Sequence, residues 1–177
     1  AEIEMEQLNL DEGAFYDPSG ERIRCCFKLY PWEWMMNESK EGCTADILWL
    51  EPMWKSLMSN KAMLPILSEL HPDSPNILKC TDHLTPGMKN YCKKPVFSRE
   101  GANVTLVKDG QVIEQTGGDY GEEGYVYQEL VEIPSFDGKY PVIGSWVIGG
   151  LSAGMGIRET SSKVTDNLSE FIPHIIE

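Results

Sequence analysis

Lys93-Lys94-Pro95-Val96-Phe97-Ser98-Arg99-Glu100-Gly101-Ala102-Asn103-Val104 is the stretch on which the reading of this chain turns. It predicts a strand that delivers a lysine, a short loop, and a second strand opened by Arg-Glu-Gly-Ala-Asn. Gly101 lets backbone N–H groups approach an anion closely, and Lys94 and Arg99 add fixed positive charge. The result is a phosphate cradle in a β-hairpin, distinct from the strand-to-helix loop of the Walker type. The same residues also suit an ordinary charged surface hairpin, so the flanking sequence has to decide.

Downstream, Asn103 to Val107 alternates, Asp109-Gly110 is a two-residue hairpin signal, and Gln111 to Gln115 returns. Gly117 to Gly124 is a Gly-rich acidic loop. Tyr125 to Ile133 and Tyr140 to Ile148 are further predicted strands. The segment Tyr125-Val126-Tyr127-Gln128-Glu129-Leu130 can present backbone donors and acceptors to an adenine edge, or serve as plain core. Gly144 to Gly150, then Gly154 to Glu159, predict two glycine-bearing strands that end at Arg158-Glu159. That pair reads either as a surface ion pair or as an arginine placed on a transferring phosphoryl group.

Upstream, Ser59 to Leu70 predicts a helix with Ser59 as N-cap and Ala62, Leu64, Ile66, Leu67 and Leu70 as its apolar stripe. Pro65 kinks it or marks an early turn. Residues 71–90, with Pro72, Pro75, Pro86 and Gly87, read as an irregular connection. The first thirty residues predict a β-hairpin that turns at Asp17-Pro18-Ser19-Gly20 and returns from Arg22 to Tyr30. Trp32, Trp34, Trp49 and Trp54 supply a local core, with an aromatic cage as the alternative.

The 177 residues carry a net charge of −13, are 41% hydrophobic and 24% charged, and so belong to one globular domain or two small lobes. Such acidity argues against gripping a nucleic-acid backbone. No run of 18 apolar residues exists, so no transmembrane helix is predicted. The five cysteines form no CxxC pair and predict free, mostly buried thiols in a reducing, cytoplasmic compartment. His71 and His174 read as structural or surface residues, and His83 falls in the irregular connection. The sequence opens on Ala1 and not on Met, which suggests a piece of something longer. Oligomeric state is not legible.

Taken together, the blocks resemble the C-terminal part of the glutathionylspermidine synthase family, whose synthetase domain is an ATP-grasp amide ligase. The match is carried by Phe27-Lys28-Leu29-Tyr30-Pro31-Trp32-Glu33-Trp34-Met35, Glu51-Pro52-Met53-Trp54-Lys55, Ser59-Asn60-Lys61-Ala62 and the Lys-Lys-Pro…Arg-Glu-Gly-Ala-Asn stretch. It continues through Tyr127-Gln128, Phe136-Asp137-Gly138, Tyr140 to Trp146, Gly156-Ile157-Arg158-Glu159, Asn167-Leu168 and Phe171 to His174.

The resemblance implies an α+β, ATP-grasp-like frame of antiparallel strands with a few helices, with residues 1–177 forming the C-terminal portion of an incomplete synthetase domain. It implies ATP and Mg²⁺, with phosphorylation of a glutathione-like carboxylate to an acyl phosphate and attack by a polyamine such as spermidine. By motif, Lys61 and Lys94 would contact ATP phosphates or the adenine-side pocket. Arg99 with Gly101, Ala102 and Asn103 would form the loop over the phosphates, and Tyr127, Gln128, Glu129 and Leu130 the adenine hinge. Arg158 would stabilise the transferring phosphoryl group and Glu100 would bind Mg²⁺. The family's principal metal-binding carboxylates have no match in residues 1–30. That departure motivates a rival reading, a non-catalytic ATP-grasp module that binds nucleotide or a partner. A third reading is a polyamine- or peptide-binding protein using Trp faces and carboxylates.

Overall fold

Asp17-Pro18-Ser19-Gly20 turns the chain as its residues predict. The Asp17 carboxylate accepts from the Ser19 hydroxyl (2.6 Å) and from the N–H groups of Ser19 (2.8 Å) and Glu21 (2.9 Å), while Gly20 takes φ +86°. These donors, the Ser19 hydroxyl first, hold the carboxyl below its ordinary pKa. The turn joins β2 (Ala14–Tyr16) to β3 (Arg22–Ile23), and a tighter left-handed turn at Glu12-Gly13 joins β1 (Asn9–Asp11) to β2. The structure, a computed structural model, describes residues 2–175, which fall into two units, Ala1–Asn60 and Lys61–Glu177.

In the first unit the predicted return strand is divided. β3 ends at Ile23, and β4 (Cys25–Phe27) leaves for a second sheet, where it pairs in parallel with β5 (Leu48–Leu50). A parallel pair needs a crossover, supplied by α1 (Trp32–Glu38) and α2 (Lys40–Thr44). Met5–Gln7 form a 3₁₀ turn within the stretch predicted as the first arm of the hairpin. Phe15, Trp32, Met35 and Trp49 make the core, with Trp49 edge-on to Phe15 at 5.4 Å and to Trp32 at 5.7 Å. Burying each such side chain contributes about 1.5–3 kcal/mol. Trp34 and Trp54 are exposed, so the predicted four-tryptophan core has two members.

The predicted helix begins late. Met53–Ser59 is a 3₁₀ turn whose Ser59 hydroxyl bonds the Ser56 carbonyl, so Ser59 does not cap α3, which spans Met63–Leu70. Pro65 is the third residue of α3, where no intrahelical N–H partner is required, so it starts the helix without kinking it.

The second unit is built on a five-stranded antiparallel sheet in the order β6 (Cys80–Thr81), β10 (Tyr125–Glu129), β7 (Tyr91–Pro95), β8 (Thr105–Lys108), β9 (Gln111–Gln115). Asp109 and Gly110, both left-handed, close the β8–β9 hairpin as read from sequence. A second sheet holds β11 (Tyr140–Ile148), β12 (Leu151–Thr160) and β13 (Glu170–Ile172), with Gly149-Gly150 turning β11 into β12. The frame is thus mixed α/β, with few helices and antiparallel sheets apart from the β4–β5 pair. Among the described residues no helix is long and apolar enough to cross a membrane.

A lysine-lined cavity as the candidate functional site

Strand alternation gives the five-stranded sheet two different faces. Cys92, Lys94, Leu106, Lys108 and Gln128 turn to one side and line a cavity of about 1000 Å³. Tyr91, Lys93, Tyr125 and Tyr127 turn to the other, where Tyr91 meets Tyr127 edge-on at 5.8 Å and the Lys93 ammonium lies 3.8 Å from the Tyr125 ring centre. Cys92 is opposite both Leu106 and Gln128 in the ladder, so the cavity floor is set by register.

One wall of the cavity is the loop from β7 to β8. Glu100, Gly101 and Asn103 take left-handed φ values of +54°, +73° and +54°. At Gly101 a Cβ would stand 2.7 Å from the Thr165 carbonyl oxygen and 2.8 Å from Val164 Cγ1, so glycine is demanded by space as well as by φ. Thr116 Oγ1 donates to the Gly101 carbonyl (2.5 Å), and Asn103 spans the acidic loop by donating to Gly118 O (2.8 Å) and accepting from Tyr120 N–H (2.8 Å). Lys61, at the approach to α3, donates from Nζ to the Ser98 carbonyl (2.8 Å) and hydroxyl (2.9 Å).

The opposite wall follows β10. Leu130, Val131, Glu132, Ile133, Pro134 and Ser135 line the cavity, and Val131–Ser135 make no backbone–backbone hydrogen bond among the described residues. Their carbonyls, and the N–H groups of all but Pro134, thus lie outside any strand ladder. Tyr127, Gln128 and Glu129, by contrast, lie inside the ladder between β7 and β6. The predicted strand to Ile133 stops at Glu129, and the open backbone begins just after the residues expected to form a hinge.

Of the residues singled out from sequence, Lys61, Lys94, Glu100, Gly101, Gln128, Glu129 and Leu130 line the cavity. Lys94 Nζ donates to Gln128 Oε1 at 2.6 Å. The Glu129 carboxylate accepts from Lys79 N–H (3.0 Å). Arg99, Ala102 and Asn103 belong to the loop without lining the cavity, and Tyr127 packs on the far face. Arg158 is on β12 outside the lining, its guanidinium 5.7 Å from the Phe171 ring centre.

Lys108 and Lys163 were not anticipated, because only register and loop path bring them to the cavity. Lys108 bonds Glu132, which raises the lysine and lowers the carboxyl from their ordinary pKa values. Burial pushes the Cys92 thiol up, and the nearby Lys94 charge opposes that shift. All five cysteines are free. Among the described residues no three His, Cys, Asp or Glu side chains gather where they could share a metal ion.

A sequence profile of the family described as "Glutathionylspermidine synthase preATP-grasp" matches residues 1–177. A Haemophilus influenzae protein, provisionally named an acid–amine ligase, is 41% identical over 94% of this chain and 45% of its own length. Trypanothione synthetase of Crithidia fasciculata is 36% identical over 91% of this chain and 29% of its own. The bifunctional glutathionylspermidine synthetase/amidase of Escherichia coli is 27% identical over 97% of this chain and 32% of its own. The chain thus spans less than half the length of each of these relatives.

Proposed function

Since the chain belongs to the glutathionylspermidine synthase family, we propose that it forms the nucleotide-holding part of an ATP-dependent, ADP-forming acid–amine ligase. In this reading residues 1–177 are the C-terminal portion of an ATP-grasp-like synthetase domain. The observation that carries it is the composition of the cavity beside the five-stranded sheet. Four lysines (Lys61, Lys94, Lys108, Lys163) and the Gly101 loop share it with an apolar floor (Cys92, Val104, Leu106, Leu130) and the open backbone of Val131–Ser135. A nucleotide needs those parts together: an apolar slot and polar backbone edge for the base, cations and close backbone for the phosphates.

ATP held there supplies the phosphoryl group that activates a carboxylate. The chain's own residues bind and orient it. Lys94, braced by Gln128, presents an ammonium from the cavity floor, and Lys61 holds the Ser98 end of the loop in place. Arg99 is assigned to the loop over the phosphates. Arg158 is assigned to the transferring phosphoryl group on the family resemblance, since it stands outside the cavity lining. Mg²⁺ is a poorer fit to these residues. Of the three carboxylates on the cavity, Glu129 serves Lys79 and Glu132 serves Lys108, which leaves Glu100 as a single ligand.

The relatives' names support a glutathione-like carboxylate and a polyamine such as spermidine as substrates. The net charge of −13 favours the approach of a cationic amine. The test is a calorimetric titration of the chain with MgATP. Saturable binding is expected, and its absence at millimolar nucleotide would overturn the reading. The committed state of Glu129 and Glu132 supports a second reading, a module that binds nucleotide without turnover. Phosphate release in the presence of glutathione and spermidine would exclude that one.

A further inference from the structure

Glu114 lies on β9 and does not line the cavity, although its neighbour Ile113 does. In a strand whose other residues are exposed, Glu114 alone is half-buried. Its carboxylate is engaged from both oxygens by one short segment: the Ser162 hydroxyl donates to Oε1, and the Lys163 N–H donates to Oε2 at 3.2 Å. Ser162 Oγ in turn accepts the Val164 N–H at 3.0 Å. Three consecutive residues are therefore fastened to one carboxylate by charge-assisted and relayed hydrogen bonds.

Two cavity features hang from that fastening. Lys163, which lines the cavity, sits between two anchored residues. Val164 is buried against Cys92, Val104 and Leu106 of the floor, and Val164 Cγ1 and Thr165 O are the atoms crowded against Gly101. Two residues beyond Glu114, Thr116 fixes the other side of the same glycine through its carbonyl. The end of β9 thus grips the Gly101 loop directly and the segment packed on it indirectly.

We propose that Glu114 is a positioning residue whose carboxylate clasps the Ser162–Thr165 segment, and so sets both the Lys163 ammonium in the cavity wall and the seat of the Gly101 loop. The inference rests on the nucleotide reading of the cavity for its functional consequence, and on geometry alone for the clasp.

Glu114→Ala and Ser162→Ala cut the clasp from opposite ends, and Ser162→Ala keeps the test available should Glu114→Ala fail to fold. The full chain is used, with circular dichroism to show that the fold is retained. Trypsin cleavage after Lys163 is expected to quicken about tenfold in either variant, and no further in the double variant. An unchanged cleavage rate overturns the clasp. ATP and adenosine are then titrated in parallel. The variants are expected to lose about fivefold or more in ATP affinity with adenosine affinity held within about twofold. Equal losses for both ligands would mark Glu114 as merely structural and overturn its positioning role. Should the unaltered chain bind neither ligand, the nucleotide reading fails, and the trypsin result alone decides the clasp.

Discussion

Lys93 and Lys94 are adjacent in sequence and face opposite sides of one sheet. Lys94 meets Gln128 in a cavity shared with three other lysines, whereas Lys93 lies over the ring of Tyr125 beside the Tyr91–Tyr127 pair. The first face leaves space and gathers charge. The second fills its space with aromatic rings and stabilises the Lys93 ammonium by a cation–π contact. The dipeptide carries no hint of this difference; period-two alternation alone separates a cavity-facing ammonium from one set over an aromatic ring.

The largest break in that comparison is expected at the wall of the cavity face. Gly101→Ala places a methyl against the Thr165 carbonyl and Val164 in a left-handed backbone, and is expected to cost about 3 kcal/mol and most of the ATP affinity. Gly110→Ala meets the same backbone demand at φ +76° with nothing within 4 Å of the added methyl. It is expected to cost about 1 kcal/mol and to leave binding unchanged. Denaturant melts and calorimetry of the two variants check this, and equal losses of affinity would deny the Gly101 loop any special part. Next in size, if the proposed function holds, Lys94→Ala is expected to weaken ATP binding by about tenfold or more, through loss of a half-buried cation from the cavity. Lys93→Ala should leave ATP affinity within about twofold while lowering stability by about 0.5–1 kcal/mol. An unchanged affinity in Lys94→Ala would remove that lysine from the phosphates.

What could be read from sequence, and what could not, follows the same division between local and register-dependent information. Asp109-Gly110 and Asp17–Gly20 were legible because the residues that make a turn lie within it. The Lys94–Gly101 loop was legible in part: a loop does follow the Lys94 strand, but Arg99–Asn103 belongs to that loop instead of opening the next strand, which begins at Thr105, and distant Thr116 and Thr165 hold it. The late start of α3 was not, because a 3₁₀ turn ending at Ser59 competes for the same residues. The open backbone of Val131–Ser135 was missed because the alternation of Tyr125 to Ile133 continues past the point where the neighbouring strands end. Lys108 could have been placed on the cavity side once Cys92 was paired with Leu106, but Lys163 depends on a loop path that no periodicity encodes. Trp34 and Trp54 look like core by composition and are exposed, since α1 buries only the side that carries Trp32 and Met35, and the 3₁₀ turn Met53–Ser59 buries none of its residues.

A smaller effect is expected from Cys92, which shares the cavity face with Lys94. Burial holds this thiol above its ordinary pKa, and the Lys94 ammonium pulls it partly back. At pH 8 it should therefore react with a small thiol reagent about tenfold more slowly than exposed Cys25, and more slowly again with ATP bound. Lys94→Ala removes the charge that favours the thiolate, so it should slow Cys92 further, whereas Lys93→Ala should not. A Cys92 rate indifferent to both lysines would show that the two faces are not electrostatically distinct.

The smallest effect separates the faces by pH. Glu132 is held below the ordinary carboxylate range by its hydrogen bond from Lys108, and Lys108 is correspondingly raised. The Glu132 contribution is thus complete above the unfolded carboxylate pKa, about 4.3, and is lost as pH falls through its lower folded value. The Lys108 contribution is complete below the unfolded lysine pKa, about 10.4, and is lost as pH rises through its higher folded value. Both groups are solvent-exposed, so the pair is screened and its effect on stability is slight. Melting temperatures of the unaltered chain and Glu132→Gln should differ a little at neutral pH, converge in acid, and converge again in molar salt. Lys93→Ala should behave otherwise: its partner is a tyrosine ring that takes up no proton in acid, so its difference from the unaltered chain should persist at low pH. If both differences vanish together in acid, the contact on the tyrosine face is not a cation–π interaction, and the contrast between the two lysines falls back to one of burial alone.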